Sequence, residues 1–142
     1  MRNTISPSKY HLMAPRDLTT ADKGRIAEAA VLFRLSLLGY SPLRPMFEGA
    51  AYDWSVDVGS GRLVRLQVKC AFQGKHGAPL IQLTRSRKVG RKRYSEKDLD
   101  FFIGYSLLLD EAHVFSWGDV VEHRSAVAFQ ASSREAWHKI TG

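Results

Sequence analysis

Cysteine is nearly absent from this chain of 142 residues, in which Cys70 is the single example. One cysteine excludes an internal disulfide and argues against a thiolate zinc site, and the five histidines show no His-x-x-x-His spacing. No apolar run approaches the roughly 20 residues that a membrane span requires, and the N-terminus lacks the continuous apolar segment of a signal peptide. We therefore expect a soluble, cytoplasmic protein.

Acidic residues are missing between Val58 and Ser95, although the whole chain carries 14 of them. This segment holds ten basic residues, which exceed the formal net charge of +7 of the whole chain: Arg62, Arg65, Lys69, Lys75, Arg85, Arg87, Lys88, Arg91, Lys92 and Arg93. The positive electrostatic field of this segment favours binding of a polyanion. The lack of an amphipathic basic helix favours nucleic acid over a membrane surface as the partner. The alternative is a generically basic surface without a specific partner.

The length suits one domain with its own core, and no repeat or linker divides the chain. We predict an N-terminal arm at residues 1–18, where little periodicity is present, and a single domain at residues 19–142. The first helix is predicted to begin at Thr20 or Ala21 and to end near Leu38, before Gly39. Its expected apolar stripe consists of Ile26, Ala30, Phe33 and Leu37, widened by Ala27, Val31 and Leu38.

Glu28 is an acidic residue on an otherwise apolar face of this helix, because it shares that face with Leu32 and Leu35. A carboxylate aimed at apolar surroundings requires a cationic partner. The alternative is an ordinary solvent-facing glutamate at the edge of the stripe.

The stretch from Tyr52 to Lys69 is predicted to form two strands joined at Gly59-Ser60-Gly61, where the backbone can adopt positive φ. We expect one face of the hairpin to be apolar and the other polar. The apolar face is expected to hold Tyr52, Trp54, Val56 and Val58 from the first strand and Val64, Leu66 and Val68 from the second.

A hairpin folded about Ser60 places Asp53 across from Gln67, on the face that also holds Lys69. A carboxylate, an amide oxygen and an ammonium group in one place can hold a divalent cation and polarise a phosphate, which is the chemistry of metal-assisted phosphodiester hydrolysis. The alternative is a solvated hairpin face with scattered polar groups.

The second half of the chain is predicted to supply the remaining strands. Residues 80–84 favour a third strand, and residues 101–107 a buried strand paired with residues 112–117. Between them, six of the nine residues from Arg85 to Arg93 are basic, which indicates a mobile or partner-ordered loop. Near the C-terminus, Ser132 and Glu135 suggest the capping box of a terminal helix.

The order of Glu28, Asp53 and Gln67-x-Lys69 resembles the PD-(D/E)XK nuclease superfamily. The resemblance implies an α/β fold with a restriction-endonuclease-like core, a mixed β-sheet flanked by helices. It also implies that Asp53 is the main metal ligand, that Gln67 stands in place of a second acidic ligand, and that Glu28 supports the metal. Lys69 would align the attacking water or stabilise phosphate charge. Tyr52 replaces the usual proline, and Gln-x-Lys also occurs in a branch that includes a cyanobacterial group I intron homing endonuclease.

The expected function is therefore a Mg²⁺-dependent DNA endonuclease of homing or site-specific type, with Mn²⁺ as a substitute ion. Double-stranded DNA would be the partner, contacted by the basic residues Arg85, Arg87, Lys88, Arg91, Lys92 and Arg93. A homodimer or homotetramer would allow both strands to be cut. The alternatives are a Holliday-junction resolvase and a non-catalytic DNA-binding module with a decayed site.

Overall fold

The computed structural model describes residues 17–141, so almost all of the predicted N-terminal arm lies outside the described residues. The elements in chain order are α1 (Thr20–Leu37), β1 (Trp54–Asp57), β2 (Leu63–Cys70), β3 (Phe72–Gln73), β4 (Pro79–Gln82), β5 (Thr84–Ser86), β6 (Arg91–Arg93), β7 (Phe101–Ser106), β8 (Glu111–Phe115), α2 (Trp117–Val120), β9 (Ala126–Ala128) and a 3₁₀ helix (Trp137–Ile140). No helix among residues 17–141 is both long and apolar enough to cross a membrane.

The main sheet has four strands in the order β1-β2-β7-β8. β1 and β2 form the predicted hairpin, and β7 and β8 form a second antiparallel pair. β2 and β7 run parallel, so the sheet is mixed. A second sheet, β3-β4-β9, contains the predicted third strand, which does not extend the main sheet. The fold is α/β with a mixed sheet flanked by helices, as the sequence predicts.

Each face of the main sheet is covered by a separate apolar cluster. Ala27, Val31 and Leu35 of α1 pack on one face together with Val56 and other sheet residues. The second cluster contains Ile81 and Val127 of the small sheet and Phe102 of β7. The small sheet approaches the main sheet closely at Gly104, where a Cβ atom would lie 2.6 Å from the Phe129 ring and 2.8 Å from Ile81. Both faces of β2 are therefore buried, unlike those of a solvated hairpin.

The first helix has the predicted bounds but a different buried face. Thr19 caps it through a reciprocal capping box with Asp22, and Gly39 follows the helix with a φ of +89°. The buried apolar residues are Ala27, Val31 and Leu35, whereas Phe33 is 59% exposed and Leu37 is 71% exposed. The predicted apolar stripe was therefore wrong for Phe33 and Leu37, because α1 covers only a narrow part of the sheet.

The hairpin register is the predicted one, with Ser55 opposite Arg65 and Trp54 opposite Leu66. Positive φ occurs at Gly59, Ser60 and Gly61, as the turn requires. Trp54, Val56 and Val58 pack with α1 as expected. Tyr52 packs instead with the cluster on the opposite face, so its assignment to the same apolar face was wrong. It precedes β1 and does not follow the alternation of that strand.

Two predictions for the second half also need correction. Arg85 to Arg93 is an antiparallel hairpin, β5 and β6, rather than a loop. The C-terminal segment has only a short 3₁₀ helix, and its Ala136 cap makes no side-chain hydrogen bond. Glu135 accepts hydrogen bonds from the Ala112 N–H at 2.9 Å and from Arg34 Nε at 3.0 Å. Its carboxylate therefore contacts β8 and α1 instead of capping a helix.

Candidate active site

Asp53 lies just before β1, and its carboxylate is bonded to the neighbouring strand. The Val68 N–H donates to Asp53 Oδ2 at 2.8 Å, and the Asp53 N–H donates to the Leu66 carbonyl at 2.9 Å. Burial and the adjacent Glu28 carboxyl raise the pKa of Asp53 to about 7, although the Val68 hydrogen bond and Lys69 oppose the rise. Asp53 is therefore fixed against the backbone that carries Gln67 and Lys69.

Glu28 approaches Asp53 from α1 and has a cationic partner. Its side chain is 25% exposed, and its carboxylate lies 3.8 Å from the guanidinium group of Arg44. Arg44 also stacks on Trp54, 4.6 Å from the ring centroid, while Trp54 Nε1 donates to the Glu28 carbonyl at 3.2 Å. Glu28 is thus not the ordinary solvent-facing glutamate of the alternative interpretation.

Lys69 lies on β2 beside Asp53 and under the ring of Tyr94. Its Nζ lies 5.0 Å from the Tyr94 ring centroid and donates to the Thr84 carbonyl at 3.2 Å. Burial and the nearby Arg91 lower the pKa of Lys69 to about 8, and Asp53 opposes that fall. The ammonium group is held by the Thr84 carbonyl and the Tyr94 ring within the electrostatic influence of Asp53, where positive charge can meet an anionic substrate.

Gln67 is 9% exposed and lies two residues before Lys69 on the same strand. The hairpin pairing ends at Trp54 opposite Leu66, so Asp53 and Gln67 directly follow the last pair. Its Nε2 donates to the Val68 carbonyl at 3.3 Å. Within the described part of the chain, its Oε1 accepts no hydrogen bond, so the amide oxygen is available to another group.

The donor set fits a hard divalent cation of the kind that prefers oxygen ligands. Burial and the neighbouring Glu28 carboxyl both disfavour a negative charge on Asp53 and raise its pKa. A bound cation would offset that cost. Among the described residues, no group of three or more His, Cys, Asp or Glu residues is placed to hold a metal ion. Gln67 as a third protein ligand stays a prediction.

Comparison with known protein families identifies the family to which the chain belongs. The family model described as PD-(D/E)XK endonuclease matches residues 18–141. The chain belongs to the PD-(D/E)XK endonuclease family. It is also similar in structure to a bacterial homing endonuclease, I-Ssp6803I, with 28% sequence identity and a TM-score of 0.75 over 87% of this chain and 94% of that one. The comparison with curated proteins gave no match.

The six basic residues of the β5–β6 hairpin divide into two groups. Three are used by the fold. Arg91 donates to Thr84 Oγ1 at 2.8 Å, to Ser86 Oγ at 3.0 Å and to the Gln82 side chain, while Arg93 donates to the Val120 carbonyl at 3.1 Å. Arg85 donates to the Gly49 carbonyl at 3.3 Å.

The other three are exposed and form no side-chain hydrogen bond or ion pair within residues 17–141: Arg87, Lys88 and Lys92. These are the residues of the hairpin whose charges are available to an anionic partner. For a member of an endonuclease family, these three exposed residues are therefore the better candidates for contacts with phosphate.

Sequence reasoning missed the residues that surround the four candidate groups. Arg44 is the cationic partner that the position of Glu28 requires. Arg44 lies in a loop, and the sequence of a loop does not indicate where its side chains point. Tyr94 and Thr84 contact Lys69 across more than ten residues of chain. The position of Tyr94 at the end of the basic segment was the single available signal, and it did not indicate a contact with Lys69.

Proposed function

We propose that this endonuclease hydrolyses phosphodiester bonds in double-stranded DNA with the help of Mg²⁺, and that it is of the homing or site-specific type. The observation that carries the proposal is the hydrogen bond from the Val68 N–H to Asp53, which holds a carboxylate against the strand that carries Gln67 and Lys69. The family membership and the similarity to a homing endonuclease support the same conclusion. A cytoplasmic location remains our prediction.

The proposed ligands of the metal are Asp53, the Gln67 amide oxygen and Glu28. A bound Mg²⁺ would polarise the phosphate and lower the pKa of a bound water. Asp53 needs to be ionised to act as a ligand, and Lys69 favours its ionisation by charge. The Gln67 oxygen adds a neutral ligand, so the site carries less negative charge than one with three carboxylates.

Lys69 is the proposed catalytic cation. Its Nζ is restrained by the Thr84 carbonyl and the Tyr94 ring, so little side-chain freedom is lost when a phosphate arrives. An ammonium group in this partly buried place stabilises charge that develops on the phosphate more strongly than one in bulk water. In its neutral form, the same amine could accept a proton from the attacking water.

We further propose that the chain acts as a homodimer or homotetramer. Each chain has one candidate site, and cleavage of both strands of a duplex requires two. Exposed Arg87, Lys88 and Lys92 would contact phosphates beside the site. A Holliday-junction resolvase has the same requirements for charge and metal, and it differs in preferring branched DNA.

The test is cleavage of two substrates, a mixture of linear duplexes and an immobile four-way junction, each incubated with Mg²⁺, Mn²⁺ or EDTA. We expect metal-dependent cuts at defined positions in linear DNA. Cuts confined to the junction would indicate a resolvase. DNA binding without cleavage of either substrate in any metal would indicate a non-catalytic binding module.

A further inference from the structure

The loop between Pro42 and Gly49 presents two large apolar side chains to solvent. Met46 is 88% exposed and Phe47 is 79% exposed. Neither belongs to the two clusters that form the core, so the fold gains little from them. These two residues are called the loop tip below.

The N-terminal end of this loop is fixed to the candidate active site. Leu43 exchanges two backbone hydrogen bonds with Ser55, at 2.7 and 2.8 Å. Arg44 follows, stacked on Trp54 and paired with Glu28. The loop tip therefore begins two residues after an arginine that contacts a proposed metal ligand.

The C-terminal end is fixed to the basic hairpin. Arg85 Nη2 donates to the Gly49 carbonyl at 3.3 Å, and its guanidinium carbon lies 5.8 Å from the centroid of the Tyr94 ring. The same ring contacts Lys69. A duplex that presents a phosphate to Lys69 and follows the hairpin therefore passes the loop tip.

We propose that the loop tip is an apolar wedge that enters the base stack of duplex DNA beside the cleaved phosphodiester bond. The inference rests on the proposed nuclease function. Apolar side chains that enter between base pairs partly unstack them and kink the duplex, which lets more of the protein contact the DNA. Phe47 supplies a flat ring for a base, and the flexible thioether of Met46 adapts to an irregular gap.

The charges beside the loop tip favour DNA over a second copy of the chain. Arg44 lies before the tip and Arg85 is bonded to the loop after it, and these two positive charges outweigh the exposed carboxylate of Glu48, which follows Phe47. A second copy of this basic chain would bring like charge to the same place, whereas a duplex brings phosphates. The wedge would also make the enzyme sensitive to how easily a base step deforms, which selects sites without hydrogen bonds to base edges.

The experiment measures binding of the full chain, in EDTA to prevent cleavage, to a perfect duplex of about 30 base pairs and to the same duplex with two unpaired adenines at its centre. An unpaired site is already partly unstacked, so a wedge enters it at lower cost. We expect the wild-type protein to bind the bulged duplex on the order of tenfold more tightly than the perfect one.

Phe47→Ala should reduce this preference to nearly one, while Phe47→Tyr should keep most of it. The matched control is Leu37→Ala, because Leu37 is also exposed, at 71%, but lies at the far end of α1. It should leave the preference unchanged. Thermal melting of all variants should match that of the wild type, since each side chain is largely outside the core.

Each other outcome decides against the wedge in a distinct way. Tight wild-type binding to both duplexes with no preference would overturn the wedge and leave the nuclease assignment intact. No binding to either duplex would overturn the wedge, and the cleavage assay with Mg²⁺ would then decide on the proposed function separately. A change in the sedimentation of free Phe47→Ala protein, with the preference for bulged DNA retained, would show that the loop tip contacts a second copy instead.

Discussion

The Val68 N–H donates to the Asp53 carboxylate at 2.8 Å, which joins the start of β1 to the strand that carries Gln67 and Lys69. This bond fixes the carboxylate independently of substrate or metal. The candidate catalytic groups are therefore positioned by sheet pairing, and their chemistry can be tested without a large change in the fold.

Asp53→Asn and Lys69→Met should each abolish cleavage while binding to DNA changes little, because both act on the chemical step. Asn can still accept the Val68 hydrogen bond, and Met retains the apolar stem of Lys69 over Tyr94. Cleavage in Mg²⁺ and electrophoretic binding in EDTA would be measured in parallel. Asp57→Asn, at an exposed position that bonds the Gly59 N–H, is the matched control. Rates within a few-fold of wild type in both site variants would rule out this active site.

Gln67→Glu should strengthen Mg²⁺ binding, and Gln67→Leu should weaken it, because the first adds a negative charge at the proposed third ligand and the second removes the oxygen. Without metal, Gln67→Glu should lower the melting temperature, since a third carboxyl group joins Asp53 and Glu28 in a mostly buried place. Calorimetric titration with Mg²⁺ and thermal melting with and without the ion provide both measurements. Equal Mg²⁺ affinity in all three proteins would remove Gln67 from the metal site.

Much of this site is predictable from sequence because it depends on local patterns. The glycines of the turn determine the hairpin register, and the register brings Asp53 to the part of β2 that holds Gln67 and Val68. Glu28 follows from its position on a helix with clear ends. Arg44 and Tyr94 were not predictable as partners, because their contacts depend on how loops return to the sheet, which periodicity does not encode.

The β5–β6 hairpin was not predicted, because its basic composition indicated an irregular loop. Six like charges suggest a loop that repels itself. Arg91 instead donates to acceptors on its own hairpin and on the preceding strand, so one of the charges stabilises the strand pairing. A mobile loop would contribute little to stability, whereas the hydrogen bonds of Arg91 attach this segment to the fold.

Replacement of Arg87, Lys88 and Lys92 by Ala should weaken DNA binding with little loss of stability, because their side chains are exposed and bond to no other described residue. If all three contact phosphates, the slope of log affinity against log salt should become shallower by about 2.7. Arg91→Ala should instead lower the melting temperature, since several hydrogen bonds are lost. Binding isotherms at a series of salt concentrations and thermal melting separate the two effects. An unchanged salt slope in the triple variant would place the DNA path elsewhere.

The free energy of unfolding in EDTA should fall as the pH rises from about 4 to about 7, to the extent that Asp53 controls it. Its pKa is raised from 3.8 to about 7 in the folded chain, so the folded state holds a proton that the unfolded state has lost in this window. Asp53→Asn should lack this component and be more stable than wild type at pH 8. Urea unfolding of both proteins across the window isolates the contribution of Asp53. Added Mg²⁺ should narrow the difference at pH 8, because binding to the folded wild-type protein stabilises it.

The β5–β6 hairpin pairs only with itself among the described strands, and it lies within the crossover that connects the parallel strands β2 and β7. Its turn, residues 87–90, can therefore be exchanged without altering any hydrogen bond of the sheet that carries Asp53, Gln67 and Lys69. Ser86 and Arg91 flank the turn and are the positions at which a replacement segment should be joined. Arg91 should be retained, since it attaches the hairpin to the preceding strand. We expect such an exchange to change the affinity for DNA while it leaves the proposed cleavage centre unaltered.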